Sequence, residues 1–296
     1  MNRTKTSSRG DRAIRTYPHT APYPEYISPL TPIPTAATPG GALRNPVRCV
    51  MFDVYGTLFI SGSGDIGMAR DHGGRRDLLE TLLRRNRVNM SPEQMQAGFS
   101  AMVGILHQQM KNQGVDVPEV AYDRIWASLL PGLDPEAIHE FAVAYELIVN
   151  PVYPMPNLDV LLAGCRKRKL TMGIISNAQF FTPLLFQWFL GGAPESIGFD
   201  PGLLFYSYQY GVAKPSPVFF GAAVAALEER GVGAGEVLYI GNDMLNDIYA
   251  AQQAGFQTAL FAGDARSLRL REDRKTCEAA SPDLVLTDLS QLLDHV

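Results

Sequence analysis

Short apolar runs that alternate with helical patterns are the feature of this sequence that most restricts its fold. Six such runs occur, at residues 47–52, 170–175, 203–206, 237–240, 257–261 and 284–286. The first four runs are short and nearly continuous, which is typical of strands buried on both faces of a parallel sheet, and the last two indicate later, more peripheral strands. The helical patterns between and after them lie at 157–169, 182–190, 217–230 and 246–254. We therefore predict an α/β fold with a doubly wound parallel sheet.

Residues 62–152 interrupt this alternation. They contain several helical patterns and no strand pattern. Two of the helices have clear starts, because Ser91 and Asp134 are capping residues that precede a proline. We interpret the block as an inserted all-α cap domain over residues 62–152, and the α/β core domain then comprises residues 47–61 and 153–296.

The N-terminal segment, residues 1–46, differs from the rest of the chain in charge and in proline content. It has a charge of +4, whereas the remaining 250 residues total −8, and it holds eight prolines. Proline removes backbone donors and prevents regular hydrogen-bond ladders. We expect this segment to be a disordered, proline-rich tail.

Composition excludes several functional classes. The apolar runs are far shorter than the roughly 20 residues that a membrane-spanning helix needs. The net charge of −4 argues against a dedicated nucleic-acid-binding protein, whose binding surface is basic. The three cysteines show no CxxC spacing and are too few for a disulfide framework, which favours a reducing compartment such as the cytoplasm. The expected partner is a small-molecule substrate.

Polar side chains follow four of the predicted strands at the point where each strand ends. They lie in residues 53–57, at Ser176 and Asn177, at Lys214, and in residues 241–247, which include Asp243 and Asp247. The carboxyl ends of the strands in an open parallel sheet face one crevice. We therefore expect a carboxylate, a hydroxyl, an ammonium group and an acidic pair to meet in one site.

These four clusters resemble, in order, the four motifs of the haloacid dehalogenase-like (HAD) hydrolases. Residues 53–58 are similar to motif I, 175–177 to motif II, 214–217 to motif III and 241–247 to motif IV. The resemblance covers about residues 47–290. It implies a Rossmann-like core with a small helical cap of the C1 type, inserted between motifs I and II.

The resemblance also implies a hydrolytic mechanism and the residues that perform it. Asp53 is the expected nucleophile and forms an aspartyl-phosphate, while Ser176 donates a hydrogen bond to the phosphoryl group and Lys214 balances the charge. Mg²⁺ is the implied cofactor, because this ion prefers hard oxygen ligands. Its expected ligands are the Asp53 carboxylate, the Tyr55 backbone carbonyl, Asp243 and Asp247, and the expected substrate contacts are Tyr55, Thr57 and Asn177.

Tyr55 departs from motif I of the HAD phosphatases, which usually have an aspartate at this position. That aspartate protonates the leaving group, and a phenol with a pKa of about 10 is a poor substitute. Tyrosine here is typical of the 2-haloacid dehalogenases, in which aspartate attacks carbon without a metal. Those enzymes also tend to have a tyrosine where this chain has Phe220, and a substrate-binding cap arginine, for which Arg70, Arg75 and Arg76 are candidates.

We therefore predict a Mg²⁺-dependent phosphatase that acts on small phosphorylated metabolites with good leaving groups, such as acyl or aryl phosphates. A metal-independent 2-haloacid dehalogenase is the first alternative, supported by Tyr55 and Asn177. The second alternative is a HAD scaffold without catalysis that serves as a binding or regulatory protein. The acidic pair Asp243 and Asp247 favours the phosphatase, because the dehalogenases lack this acidic motif IV.

Overall fold

A mostly parallel sheet forms the centre of the molecule, for which the computed structural model describes residues 25–63 and 75–296. Its strands are β1 (Gly40–Gly41), β2 (Cys49–Phe52), β5 (Thr171–Ser176), β6 (Leu204–Tyr206), β7 (Val237–Gly241), β8 (Gln257–Phe261) and β9 (Leu284–Leu286), while β3 (Phe59–Ser61) and β4 (Val152–Pro154) form a separate antiparallel pair. The order across the sheet is β1-β9-β8-β7-β2-β5-β6. All neighbours run parallel except β1, which is antiparallel to β9. The predicted α/β class is confirmed.

Strand β2 lies in the middle of this sheet, between β5 and β7. Its four residues are buried and alternate between the two faces: Val50 and Phe52 join one hydrophobic cluster, and Cys49 and Met51 join the other. Burial of a side chain as large as Phe52 stabilises the fold by about 2 kcal/mol. Gly173 of β5 is opposite Met51, and a Cβ there would lie 2.4 Å from the Met51 sulfur. This close packing fixes the carboxyl end of β2.

Among the described residues between β3 and β4 there are four helices, in the block predicted to be helical, and together we call them the helical insertion. They are α1 (Arg76–Arg85), α2 (Pro92–Asn112), α3 (Tyr122–Leu129) and α4 (Pro135–Val149). Both predicted caps are confirmed, because the Ser91 and Asp134 side chains accept hydrogen bonds from backbone amides of the first turn. Inside the insertion, Trp126 packs against Phe99 and Tyr145 with ring centroids 4.7 and 4.6 Å apart. Aromatic packing therefore stabilises this part of the fold.

Helices of the core cover both faces of the sheet, as a doubly wound topology requires. They are α5 (Leu158–Lys167), α6 (Thr182–Leu190), α7 (Ser207–Tyr210), α8 (Pro217–Glu228), α9 (Ala250–Gln253) and α10 (Lys275–Glu278). The helix predicted at 246–254 differs in form, since it starts as a π-helix at Met244–Tyr249 and continues as α9. Single π-helical turns are frequent at functional sites, and this one begins after Asn242 and Asp243, which follow β7.

The N-terminal segment is ordered where the structure describes it, so the prediction of a disordered tail is wrong for residues 25–46. Tyr26 is buried, β1 pairs with β9, and Arg44 forms an ion pair with Asp283 at 2.8 Å. The prolines do prevent a long strand, but isolated backbone and side-chain contacts fix this extended segment without one. Residues 1–24, the rest of the predicted tail, lie outside the described residues.

Two findings bear on the predictions made from composition. In the described part of the chain, no helix is long and apolar enough to cross a membrane. Cys49, Cys165 and Cys277 are free and buried.

Candidate active site

Asp53 follows the last residue of β2 at the carboxyl edge of the sheet. The chain turns sharply there, and Gly56 has a φ of 83°, a conformation that favours glycine. Asp53 is 6% exposed, and its Oδ1 accepts hydrogen bonds from Ser176 Oγ at 2.9 Å and Lys214 Nζ at 2.7 Å. Ser176 is the last residue of β5, the strand beside β2. The structure thus brings together the three residues predicted to be catalytic.

Lys214 lies between two carboxylates. Its Nζ donates to Asp53 and also to Asp247 Oδ1 at 2.5 Å, and the Tyr239 hydroxyl is 3.0 Å away. Burial opposes the charged ammonium, but the negative charges of Asp247 and Asp53 outweigh it and raise the pKa of Lys214 above its ordinary value. The Lys214 backbone amide donates to Asn177 Oδ1 at 2.8 Å. The Asn177 side chain, which was predicted to contact substrate, therefore fixes the backbone of the loop that bears Lys214. The raised pKa means that Lys214 is protonated at neutral pH.

Asp247 is engaged by protein donors at both oxygens. Oδ1 contacts Lys214 and the Tyr239 hydroxyl, and Oδ2 accepts hydrogen bonds from the backbone amides of Asn242 and Asp243, both at 2.9 Å. Burial raises the pKa of Asp247 to about 6, with the neighbouring carboxylates acting in the same direction and Lys214 opposing them. These contacts favour a supporting role beside Lys214 over the predicted role as a metal ligand.

Asp243 has a different environment, although it lies only four residues from Asp247. Its Oδ1 caps the following helical turn and accepts hydrogen bonds from the amides of Leu245 at 2.8 Å and Asn246 at 3.1 Å. The Arg271 guanidinium lies against the same carboxylate, with Nη2 donating to Oδ2 at 2.5 Å and Nε 3.1 Å from each oxygen. Arg271 was not predicted from the sequence, because it lies 28 residues away in a loop without periodicity.

Tyr239 is a second site residue that was not predicted from the sequence. It lies in β7, and its hydroxyl contacts Lys214, Asp247 and the Ile175 carbonyl oxygen, the last at 2.8 Å. Burial, reinforced by the charge of Asp247, raises the pKa of Tyr239 well above its ordinary value. Phe220 packs edge-on against its ring at 5.4 Å. A buried tyrosine hydroxyl usually has a hydrogen-bond partner. A tyrosine in the strand just before motif IV was therefore the sequence feature that could have indicated this site residue.

Tyr55 and Thr57, predicted to contact substrate, use their side chains within the protein. The Tyr55 hydroxyl lies 2.9 Å from Thr182 Oγ1, and Thr57 Oγ1 donates to Asn242 Oδ1 at 3.1 Å. Burial, together with the nearby Glu146 carboxylate, raises the pKa of Tyr55 well above its ordinary value. The Tyr55 phenol is therefore neutral, and Thr57 ties the motif I loop to the motif IV loop.

The oxygen atoms of these loops fit a Mg²⁺ ion in their chemistry, because hard donors suit this ion. Within the described residues, Asp53 Oδ2 and the Tyr55 carbonyl oxygen accept no hydrogen bond, so both are available. No cluster of three or more acidic, histidine or cysteine side chains able to hold a metal occurs in residues 25–63 and 75–296. A cation here would therefore have two carboxylates, Asp53 and Asp243, and the carbonyl of Tyr55.

The arginines considered for a dehalogenase lie elsewhere. Arg75 donates to the Ile148 carbonyl oxygen at the end of α4, and Arg76 is an exposed residue that pairs with Glu80 at 3.0 Å. In the part of the chain that the structure describes, neither contacts Asp53. Arg70 lies outside the described residues.

Comparison with known proteins gives a fold and a partial family match. Residues 211–292 match a family model described as HAD-hydrolase-like. The structure is similar to a 2-haloacid dehalogenase from Pseudomonas syringae pv. tomato DC3000, with 20% identity, a TM-score of 0.51 and coverage of 84% of this chain and 97% of the other. It is also similar to the L-2-haloacid dehalogenase RSc1362, with 16% identity, a TM-score of 0.51 and coverage of 84% and 98%.

A HAD phosphatase from Thermococcus onnurineus is 18% identical, with a TM-score of 0.46 and coverage of 84% of this chain and 97% of the other. None of the curated proteins compared with the sequence matches it. Because the two dehalogenases are less than 25% identical to this chain, their structural similarity establishes the fold alone and leaves the reaction to be inferred from the site.

Proposed function

We propose that this chain, which has the fold of the haloacid dehalogenase-like hydrolases and matches their family model over residues 211–292, is a phosphatase with Asp53 as its nucleophile. The observation that supports this most is the environment of the Asp53 carboxylate. Ser176 and Lys214 hold Oδ1, while Oδ2 accepts no hydrogen bond within the described residues. A carboxylate that is fixed at one oxygen and open at the other is oriented for attack.

The proposed reaction has two steps. Asp53 attacks phosphorus through one carboxylate oxygen, a bond from that oxygen to phosphorus forms, and the leaving group departs with the electron pair of its own bond to phosphorus. Water then attacks the aspartyl-phosphate, the bond from phosphorus to Asp53 breaks, and the protons of the water pass to phosphate and solvent. Lys214 and Ser176 lie against Asp53 Oδ1, so they stabilise the negative charge that this carboxylate carries before and after the reaction.

Asp53, the Tyr55 carbonyl and Asp243 are the residues that would hold Mg²⁺. When bound, the ion supplies positive charge that offsets repulsion between a carboxylate and a phosphate dianion. Asp247 acts indirectly, because its ion pair with Lys214 keeps the ammonium group charged and in position.

Tyr55 restricts the substrate class. Its neutral phenol bonds to Thr182, so no side chain at this position protonates a departing alkoxide. We propose that the substrates are small phosphorylated metabolites whose leaving groups depart unprotonated, such as acyl or aryl phosphates. We further propose that residues 62–152 form a cap domain that selects the substrate, and that residues 47–61 and 153–296 form the core domain. We also propose a reducing compartment such as the cytoplasm, which the free cysteines support.

A substrate panel tests the proposal. Acetyl phosphate, p-nitrophenyl phosphate and glycerol phosphate are each assayed with Mg²⁺ and with EDTA, on the parent, Asp53→Asn and the control Asp159→Asn, an exposed aspartate of α5. We expect phosphate release only with Mg²⁺, at least about tenfold slower on glycerol phosphate. Asp53→Asn is expected to lower the rate by at least about a thousandfold. Equal rates on alkyl and aryl phosphates would contradict the leaving-group restriction, and full activity of Asp53→Asn would contradict the nucleophile.

A second candidate, the metal-independent 2-haloacid dehalogenase, is favoured by Tyr55 and by the two cations of the site, Lys214 and Arg271. Halide release from 2-chloropropionate in EDTA would establish it. The contacts of Arg75 and Arg76 count against it, because neither arginine contacts the Asp53 site in the described structure.

A non-catalytic protein would show equal background hydrolysis in the parent and Asp53→Asn on every substrate.

A further inference from the structure

Arg271 neutralises Asp243 through an ion pair at the rim of the site. The guanidinium contacts both carboxylate oxygens, at 2.5 Å through Nη2 and at 3.1 Å through Nε. Such paired contacts are the strongest geometry for an arginine and a carboxylate. The Asp243 side chain is 8% exposed, whereas that of Arg271 is 31% exposed. The carboxylate is thus a buried, fixed partner, and the arginine reaches it from the surface.

The loop that bears Arg271 is joined to the motif IV loop by backbone hydrogen bonds. The Met244 amide donates to the Arg269 carbonyl at 2.8 Å, and the Arg269 amide donates to the Asn242 carbonyl at 2.9 Å. Arg271 follows two residues later with a φ of 55°, in the left-handed region that non-glycine residues rarely adopt. The neighbouring loop therefore aims the guanidinium at Asp243 at a cost in backbone strain.

The same carboxylate is one of the oxygen donors that fit a divalent cation. Arg271 Nε and Nη2 both donate to Asp243 Oδ2, and Oδ1 accepts from two backbone amides and from Nε, so a metal ion that binds Oδ2 competes with the guanidinium for its lone pairs. The inner cation, Lys214, contacts Asp53 and Asp247 and does not contact Asp243. Arg271 is thus the charge that competes directly with a metal for this ligand.

We propose that Arg271 closes the cation site: its guanidinium occupies Asp243 in the metal-free protein, and a divalent cation binds by displacing it. This inference rests on the proposed function, because it concerns the same cation site. Arg271, a residue outside the four motifs, would then control the affinity of the site for the cation. Since Arg271 is partly exposed, water and solvent anions can take over its hydrogen bonds when it leaves Asp243.

Direct binding of Mn²⁺ to the full-length protein tests the inference without any assay of activity. Free Mn²⁺ is measured by electron paramagnetic resonance during titration of the parent, Arg271→Gln, Arg271→Lys and Arg274→Gln. Arg274 is the matched control, because it lies on the same loop and pairs with Asp273 at 3.4 Å. Arg271→Lys keeps the charge and loses the paired geometry.

We expect Arg271→Gln to bind Mn²⁺ about tenfold more tightly than the parent, and Arg271→Lys to lie between them. Arg274→Gln should change the affinity by less than about twofold, because its charge is exposed and screened. If the parent binds Mn²⁺ and Arg271→Gln binds it no more tightly, the inference is wrong and the metal-dependent function stands. If no variant binds Mn²⁺, the inference and the metal dependence both fail, while the role of Asp53 is still decided by the substrate panel.

Discussion

The site has two halves whose cations are held in different ways. The inner half consists of Asp53, Lys214, Tyr239 and Asp247, and the outer half consists of Asp243 and Arg271. Only 3% of the inner lysine is exposed, and it contacts the carboxylates of Asp53 and Asp247, whereas 31% of the outer arginine is exposed, and it contacts the Asp243 carboxylate. Removing one member of a buried pair leaves an uncompensated charge, while a partly exposed arginine exchanges its partner for water at low cost. The contacts of the inner half are therefore needed for the stability of the fold, whereas the contact between Asp243 and Arg271 in the outer half can be exchanged at low cost.

Replacement of Lys214 by methionine should have the largest effect, because it leaves Asp53 and Asp247 buried without their shared cation. We expect the free energy of unfolding to fall by about 3–5 kcal/mol and kcat/KM to fall at least about a hundredfold. Urea unfolding and the p-nitrophenyl phosphate assay measure the two effects.

Two further variants calibrate that result. Lys167→Met, at an exposed position of α5, should leave both quantities unchanged. Arg271→Gln in the outer half should cost less than about 1 kcal/mol. A similar loss of stability in Lys214→Met and Arg271→Gln would remove the distinction between the two halves.

The pH dependence of stability should show the burial of Asp247. Its folded pKa is about 6, above the value of about 4 that an unfolded aspartate has, so the folded state holds the proton longer as the pH rises. The contribution of Asp247 to stability is therefore present below pH 4 and is lost as the pH rises towards 6, by on the order of 2 kcal/mol. Asp247→Asn does not titrate and should lack this loss.

The measurement is the difference in unfolding free energy between the parent and Asp247→Asn from pH 4.5 to 7.5, with Asp159→Asn as the exposed control. The difference should fall with rising pH up to about 6 and then stay level. A difference that rises with pH would mean that Lys214 and the two backbone amides outweigh burial and hold the pKa of Asp247 down.

Asp53, Lys214 and Asp247 of the inner half and Asp243 of the outer half were predicted from the sequence, whereas Tyr239 and Arg271 were not. Asp53, Ser176 and Lys214 are each placed by a buried strand or the loop after it, and periodic apolar runs show where strands end. Arg271 belongs to a loop whose position depends on isolated backbone hydrogen bonds to residues 242–244. Such contacts leave no periodic trace in the sequence. The roles of Asp53, Ser176, Lys214 and Asp243 in catalysis or metal binding stay predictions.

The N-terminal segment was misjudged for the same physical reason. Prolines between residues 29 and 46 removed the ladder pattern from which a strand is recognised, yet Thr35 Oγ1 donates to the Ala262 carbonyl at 2.6 Å and the Arg44 amide donates to Gln257 at 2.7 Å. Contacts with partners more than 200 residues away fix this segment. Tyr239 shows the converse, because its strand was predicted and the partners of its hydroxyl were not.

Replacement of Tyr55 by phenylalanine should have the smallest effect of these changes. The variant keeps the ring and the backbone carbonyl and loses only the hydrogen bond to Thr182, which still accepts from the Gln179 amide at 3.1 Å. We expect a loss of about 1 kcal/mol in unfolding free energy and a fall in kcat/KM of less than about threefold. Tyr153→Phe, on β4, is the matched control. A fall in kcat of tenfold or more for Tyr55→Phe, greatest on alkyl phosphates, would show instead that the phenol protonates the leaving group, and the restriction to good leaving groups would then be wrong.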